Sequence, residues 1–405
     1  RAHDHSRARH RHDQGRLLHR QRRRRPRRRR RWTGLPCRRR GASPLARHAQ
    51  RPGRQPGRSR SVGARRRRCR RANGERARRH RIREHVCGGP RSTRVEVELA
   101  ISGHQIRDTD VRRVLDQGSA MYDADDRELI HCIPTGYSID GGNGILDPRG
   151  MYGDRLGVNV HLVTAAIGPT KNLSTVIDRC HLDIEDRVVS PYASGLACLV
   201  EDEKELGVTV IDMGGGTTSM AVFMESQVVF VDSLPIGGNH VTNDVAKGLS
   251  TPVAKAERLK TVYGSVMQMP SDSREMLKVP VVGEEDEASA NEVPKSMLVQ
   301  IIQPRLEETF ELVRGQLEAS GFGKLSGRRV VLTGGGSQLE GVRDLAEMVL
   351  DRQVRLGRPK AIRGLPESVS GPAFATCGGL LRYGLREHVS RPDFGAMSAA
   401  KNKRG

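Results

Sequence analysis

Asp212-Met213-Gly214-Gly215-Gly216-Thr217-Thr218-Ser219 constrains the fold of this 405-residue chain more than any other stretch. It lies between two apolar runs, Gly207-Val208-Thr209-Val210-Ile211 and Met220-Ala221-Val222-Phe223. Apolar, β-branched flanks around a turn of bare glycines predict strand, tight turn, strand. Three consecutive glycines remove every side chain from the turn, so backbone N–H groups can face an open concavity. Such nests bind anions, phosphate above all. Asp212, at the strand end, can hold a hydrated Mg²⁺ that a phosphate chain carries, and Thr217 and Thr218 add hydroxyl donors. By itself the motif also fits an ordinary hairpin with a glycine loop.

A second loop narrows the choice. Arg329-Val330-Val331-Leu332-Thr333 runs into Gly334-Gly335-Gly336-Ser337. The segment from Leu339 to Leu350 then repeats apolar residues (Leu339, Val342, Leu345, Met348, Val349) at helical spacing. A strand–glycine–helix turn lets a flat ring such as adenine lie against bare backbone. Between the loops, Thr251-Pro252 predicts a helix start over 251–260, with Thr251 as cap and Pro252 at the first helical position. Glu257 and Lys260, three apart, share a face of that helix. They can reach a ribose together or form a surface ion pair.

Three such elements in this order resemble the actin, Hsp70 and sugar-kinase superfamily, and within it the FtsA family of bacterial cell-division proteins. The residues carrying the resemblance are Glu201–Thr217, Gly237-Gly238-Asn239 through Ala246, the 251–260 helix and Val331–Gly335, with Ile133–Asp140 and Val160–Ala165 upstream. They span roughly residues 89–390. The resemblance implies an α/β, actin-like (ribonuclease H-like) two-lobed fold that binds ATP and Mg²⁺. Its nucleotide contacts would be Asp212 (through water to Mg²⁺), Gly214, Gly215, Gly216, Thr217, Thr218, Gly237, Gly238, Asn239, Glu257, Lys260, Gly334, Gly335, Gly336 and Ser337. It also implies the layout: a subdomain 1C-like region over 89–185, the remainder of subdomain 1A with a connecting helix over 186–206, and subdomains 2A and 2B over 207–390. Residues 391–405 would form a flexible tail. The implied partners are the C-terminal tail of FtsZ, further copies of the chain in actin-like filaments, and other division proteins through subdomain 1C. The implied location is cytoplasmic, on the inner face of the cell membrane at the division site.

The first ninety-odd residues do not fit this pattern. Residues 1–94 hold 36 Arg, no Lys and four acids (Asp4, Asp13, Glu75, Glu84). That segment carries +32 against +23 for the whole chain, leaving 23 − 32 = −9 for residues 95–405. Apolar residues are too sparse there to bury a core, so residues 1–88 are expected to be disordered. Arginine without lysine, among scattered His, Pro, Gly, Ser and Ala, reads as out-of-frame GC-rich coding sequence. The alternative is a genuine basic tail for nucleic acid; no specific nucleic acid is expected. The first phosphate hairpin of the resembled family has no counterpart, so the first lobe is expected to be incomplete.

Other features carry less. His3, His5, His10, His12 and His19 have no core to set metal geometry. Seven cysteines without a C-x-x-C pair read as reduced thiols, with Cys180 and Cys198 buried. Leu173, Val176, Ile177 and Cys180 form a helical stripe after a strand over 160–166. Ser190–Cys198 is a small-residue helix suited to close packing, and Gly371–Gly379 resembles its hinge partner. Neither carboxylate nor glutamine stands in Ser190–Cys198 to act as a base, so any ATPase activity is expected to be slow. Glu284–Ala288 reads as a solvated acidic loop, and Met297–Leu317 as a long helix with Pro304 at a kink or start. Met397–Gly405 lacks the bulky apolar face of a membrane-surface helix and reads as the linker before one. From another class, a sugar-kinase-like phosphotransfer enzyme would need a catalytic Asp facing a sugar pocket, and no such motif is recognisable.

Overall fold

The computed structural model describes residues 82–84, 88–122, 126–283, 290–323, 327–362 and 366–390. The expectations for most of the Arg-rich segment, for Glu284–Ala288 and for residues 391–405 lie outside the described residues. Within the Arg-rich segment, Ile82–Glu84 (β1) pairs in parallel with Asp186–Val188 (β6). Among the described residues these two strands form a two-stranded sheet of their own.

Residues 91–166 build an antiparallel sheet in the order β2-β5-β3-β4: Arg91–Ala100 (β2), Arg127–Ile139 (β3), Gly142–Ile145 (β4) and Arg155–Ala166 (β5). Alternation sets its faces: Val97 is buried while Glu96 and Glu98 are exposed. Helix Asp108–Ala120 (α1) covers the inner face, Val111, Val114 and Leu115 meeting Leu156, Val158, Val160 and Leu162. Pro134, which cannot donate to the ladder, sits where the β3–β5 register shifts.

The second lobe is a mixed sheet in the order β13-β12-β7-β8-β9: Val208–Met213 (β7), Thr218–Met224 (β8), Gln227–Leu234 (β9), Arg329–Thr333 (β12) and Gln353–Leu356 (β13). Only β8 runs against the others. Both faces are covered, so the central strands are buried along almost their whole length. Ile211, Met213, Val330 and Leu332 face one core, with helices Gly238–Gly248 (α5), Val253–Tyr263 (α6), Lys295–Ala319 (α7) and Val342–Leu350 (α8). Val208, Val210 and Val331 face another, with Ser190–Cys198 (α3) and the start of Ala375–Ser390 (α9). Helices Ile167–Arg179 (α2) and Glu201–Leu206 (α4) and the hairpin Met276–Val279 (β10) with Asn291–Pro294 (β11) complete the chain.

Several local expectations change. Helix α6 begins at Val253 with Pro252 at the cap, and the buried Thr251 hydroxyl has no partner among the described residues. Of the α2 stripe only Ile177 is buried; Val176 is 58% exposed. Cys180, at the α2 C-terminus, is exposed, whereas Cys198 is buried between α3 and β12. Helix α7 runs through Pro304, so that proline is not its start. Helix α8 begins at Val342 after a 3₁₀ turn over Gly335–Gln338, because Gly341 (φ +77°) caps it in the left-handed region.

Candidate nucleotide site

β7 and β12 are parallel neighbours, yet the chain leaves β7 toward β8 on one side and β12 toward β13 on the other. Such a divergence opens a crevice at the carboxyl ends of the two strands, where ligands of α/β sheets bind. Asp212 and Thr333 pair across that end, which sets the two glycine loops side by side.

The first loop is only partly the open nest its sequence suggests. Gly214 N–H donates to Thr217 O at 2.9 Å, closing the turn. The carbonyls of Gly214 and Gly215 accept from Gly238 and Asn239 at 2.9 and 2.7 Å, so the N-terminus of α5 is docked on the loop. This approach requires Gly237, where a Cβ would stand 2.6 Å from Gly214 O. Gly215 and Gly216 remain exposed, and nothing lies within 4 Å of a Cβ at Gly216. Thr217 is half-buried; Thr218 is buried and its hydroxyl has no partner among the described residues.

The second loop is pressed against the first. Gly334 has φ +87°, and a Cβ there would lie 2.5 Å from Asp212 Oδ1 and 2.6 Å from Met213 O. Its N–H donates to Pro372 O at 3.2 Å. The buried Ser337 donates to Gly334 O at 2.8 Å, and Gly335 is open. The Ser337 hydroxyl therefore shapes the loop.

Glu257 and Lys260 meet the crevice from α6. Lys260 Nζ donates to Glu257 Oε2 (2.7 Å), Thr242 Oγ1 (2.8 Å) and Gly238 O (3.1 Å). The ammonium is thus held over the α5 N-terminus beside the first loop. Despite the opposing effect of burial, hydrogen bonds from Lys260 and Thr242 hold the Glu257 carboxyl below its usual range. Beyond α6, Val266 N–H donates to Glu340 O, tying its end to the second loop.

Asp212 is almost fully buried, and among the described residues it has no cationic partner. Burial pushes its carboxyl up, against hydrogen bonds from Ser194 and Thr376. Both hydroxyls reach the same oxygen, Oδ2, at 2.7 and 2.9 Å. Oδ1, beside Gly334, accepts no hydrogen bond among the described residues. A free carboxylate oxygen, an orphaned Thr218 hydroxyl, exposed glycines and a nearby ammonium are chemically suited to a hydrated cation and a phosphate chain. Sequence reasoning missed Thr242, Ser194 and Thr376. The last two are hydroxyls in small-residue segments whose sequence points to close packing and a hinge, not to a carboxylate partner.

The mixed sheet with paired glycine loops defines an actin-like chain. The FtsA family (cell division protein FtsA) matches residues 209–379, and the SHS2 domain inserted in FtsA matches residues 88–164. Cell division protein FtsA of Agrobacterium fabrum is 47% identical over 285 residues, covering 70% of this chain and 64% of that protein. FtsA of Pseudomonas aeruginosa is 38% identical over 71% of this chain and 69% of its own length. FtsA of Escherichia coli K12 is 33% identical, over 72% and 70%. The chain belongs to the FtsA family, and spans under two thirds of the length of the Agrobacterium relative. Among solved structures, the PilM-PilN type IV pilus biogenesis complex aligns with TM-score 0.48 and 19% identity, covering 72% of this chain and 76% of that one.

Proposed function

We propose that this chain acts as an actin-like, ATP-binding cell-division protein. The observation that carries this reading is the convergence of both glycine loops, Asp212 and the α5 N-terminus on one crevice, flanked by Glu257 and Lys260. Gly215, Gly216 and Lys260 would receive phosphates, Asp212 Oδ1 would hold a water of Mg²⁺, Gly335 and Gly336 would lie under the adenine, and Glu257 would face the ribose. Bound Mg²⁺ would offset phosphate charge and the charge of buried Asp212. Hydrolysis would be slow, because α3 offers the crevice only Ser194, which is already bonded to Asp212.

The family supplies the rest of the reading. Residues 89–185 would serve as subdomain 1C and meet other division proteins, 186–206 would complete 1A, and 207–390 would form 2A and 2B. The chain would self-associate into filaments, bind the FtsZ C-terminal tail on 2B, and work at the inner face of the membrane at the division site. Among the described residues no helix is long and apolar enough to cross a membrane.

Titration of the full chain with a fluorescent ATP analogue and Mg²⁺ tests this. Asp212→Ala should weaken binding by more than about tenfold, the loss of one ionic contact. Unchanged affinity would remove Asp212 from the site, and no binding by the parent chain would sink the reading.

A further inference from the structure

The two helices that join the lobes meet at Asp212. Helices α3 and α9 cross with backbones in contact: a Cβ at Gly379 would overlap the Ala193 carbonyl. At this crossing Ser194, fully buried on α3, and Thr376, at the start of α9, stand 2.9 Å apart, hydroxyl to hydroxyl. Both also reach Asp212 Oδ2. One carboxylate oxygen on the nucleotide lobe therefore fastens both connecting helices, and the other, beside Gly334 of the second glycine loop, accepts no hydrogen bond among the described residues.

Resting on the nucleotide reading above, we propose that Ser194 and Thr376 are positioning residues of the cation-dependent part of that site. By occupying Oδ2 they fix the carboxylate rotamer and present Oδ1 toward a hydrated Mg²⁺. The same bonds make the α3–α9 crossing and the glycine loop one unit, so the carboxylate cannot rotate without loosening the crossing. Two hydroxyls that merely solvated a buried acid would affect folding, but would not separate binding with Mg²⁺ from binding without it.

The test compares the full chain with Ser194→Ala, Thr376→Val, their double variant and the conservative Thr376→Ser. A fluorescent ATP analogue is titrated in Mg²⁺ and in EDTA. Loss of the two donors should cut the affinity gained from Mg²⁺ by about tenfold, as expected for hydrogen bonds to a charged group. Affinity in EDTA should stay within about twofold, and Thr376→Ser should behave as the parent. Equal losses in both buffers, or none, would overturn the proposal. Thr376 is not fully buried, so Thr376→Val carries the test if the Ser194 variants unfold. Amide hydrogen exchange over 193–198 and 375–380, without nucleotide, reads the clamp by itself and should accelerate in the double variant or in Thr376→Val. If the parent binds no nucleotide, the nucleotide reading fails, and with it the positioning role. Unchanged exchange in every variant rejects the clamp whether or not nucleotide binds.

Discussion

The crevice at β7 and β12 and the seam where the four-stranded sheet meets β9 are both built around buried polar groups, but they are finished differently. In the crevice, Asp212 Oδ1 and the Thr218 hydroxyl have no hydrogen-bond partner among the described residues. In the seam, Ser92 and His161 sit in a chain of hydrogen bonds to β9. Ser92 on β2 accepts from Val231 N–H at 2.7 Å, and its hydroxyl serves Val231 O or His161 Nε2. His161 on β5 meets Val228 O through Nδ1 at 2.8 Å, and Arg94 lies over the Phe322 ring. With the imidazole neutral, Nδ1–H donates to Val228 O and Nε2 accepts from Ser92. These side chains cover the polar groups that edge strand β9 would otherwise expose. A seam closes its hydrogen bonds because each unmet one costs stability; a ligand site keeps some open because the ligand completes them.

That contrast can be broken in four ways, beginning with the largest effect. Gly334→Ala adds a Cβ where φ is +87° and the Asp212 carboxylate and Met213 carbonyl already stand. It should cost about 4 kcal/mol from backbone strain and overlap, read as a fall in the urea midpoint; a near-neutral result would mean the loops are not pressed together.

The seam should show acid sensitivity instead. Burial pushes His161 down to about 4 from 6.5. Its neutral form is native, so stability is complete above pH 6.5 and is lost as pH falls toward 4, the unfolded state taking up the proton first. The loss should approach about 3 kcal/mol. Comparing urea unfolding of the parent and His161→Gln at both ends of that range isolates it, and parallel curves would remove His161 from the account.

Ser92→Ala strips partners from Val231 N–H and His161 together, and should cost about 1–3 kcal/mol with nucleotide affinity unchanged. Smallest in stability is Thr218→Val, which replaces an unpartnered buried hydroxyl with an isosteric methyl. Its melting should move by no more than about 0.5 kcal/mol while nucleotide affinity falls roughly fivefold. A Thr218→Val chain that loses stability but keeps its affinity would put Thr218 in the scaffold, not in the site.

Much of this molecule was legible along the chain. Alternation at Val95, Val97 and Leu99, the apolar run before Asp212, and the bare glycines on either side of the lobe determined strands and turns by local sterics and periodicity. The order of those elements identified the family. Local rules failed where burial depends on what packs opposite: Cys180 and Val176 belong to a helical stripe of which only Ile177 is buried, and Thr251 cedes the cap to Pro252. The partners of Asp212 were beyond reach for the same reason. Ser194 lies 18 residues before it and Thr376 lies 164 after, and neither segment signals an acceptor. The residue types were set by the sequence, but only the crossing of α3 and α9 over the end of β7 brought two hydroxyls to one buried oxygen, because hydrogen bonding acts through space and not along the chain.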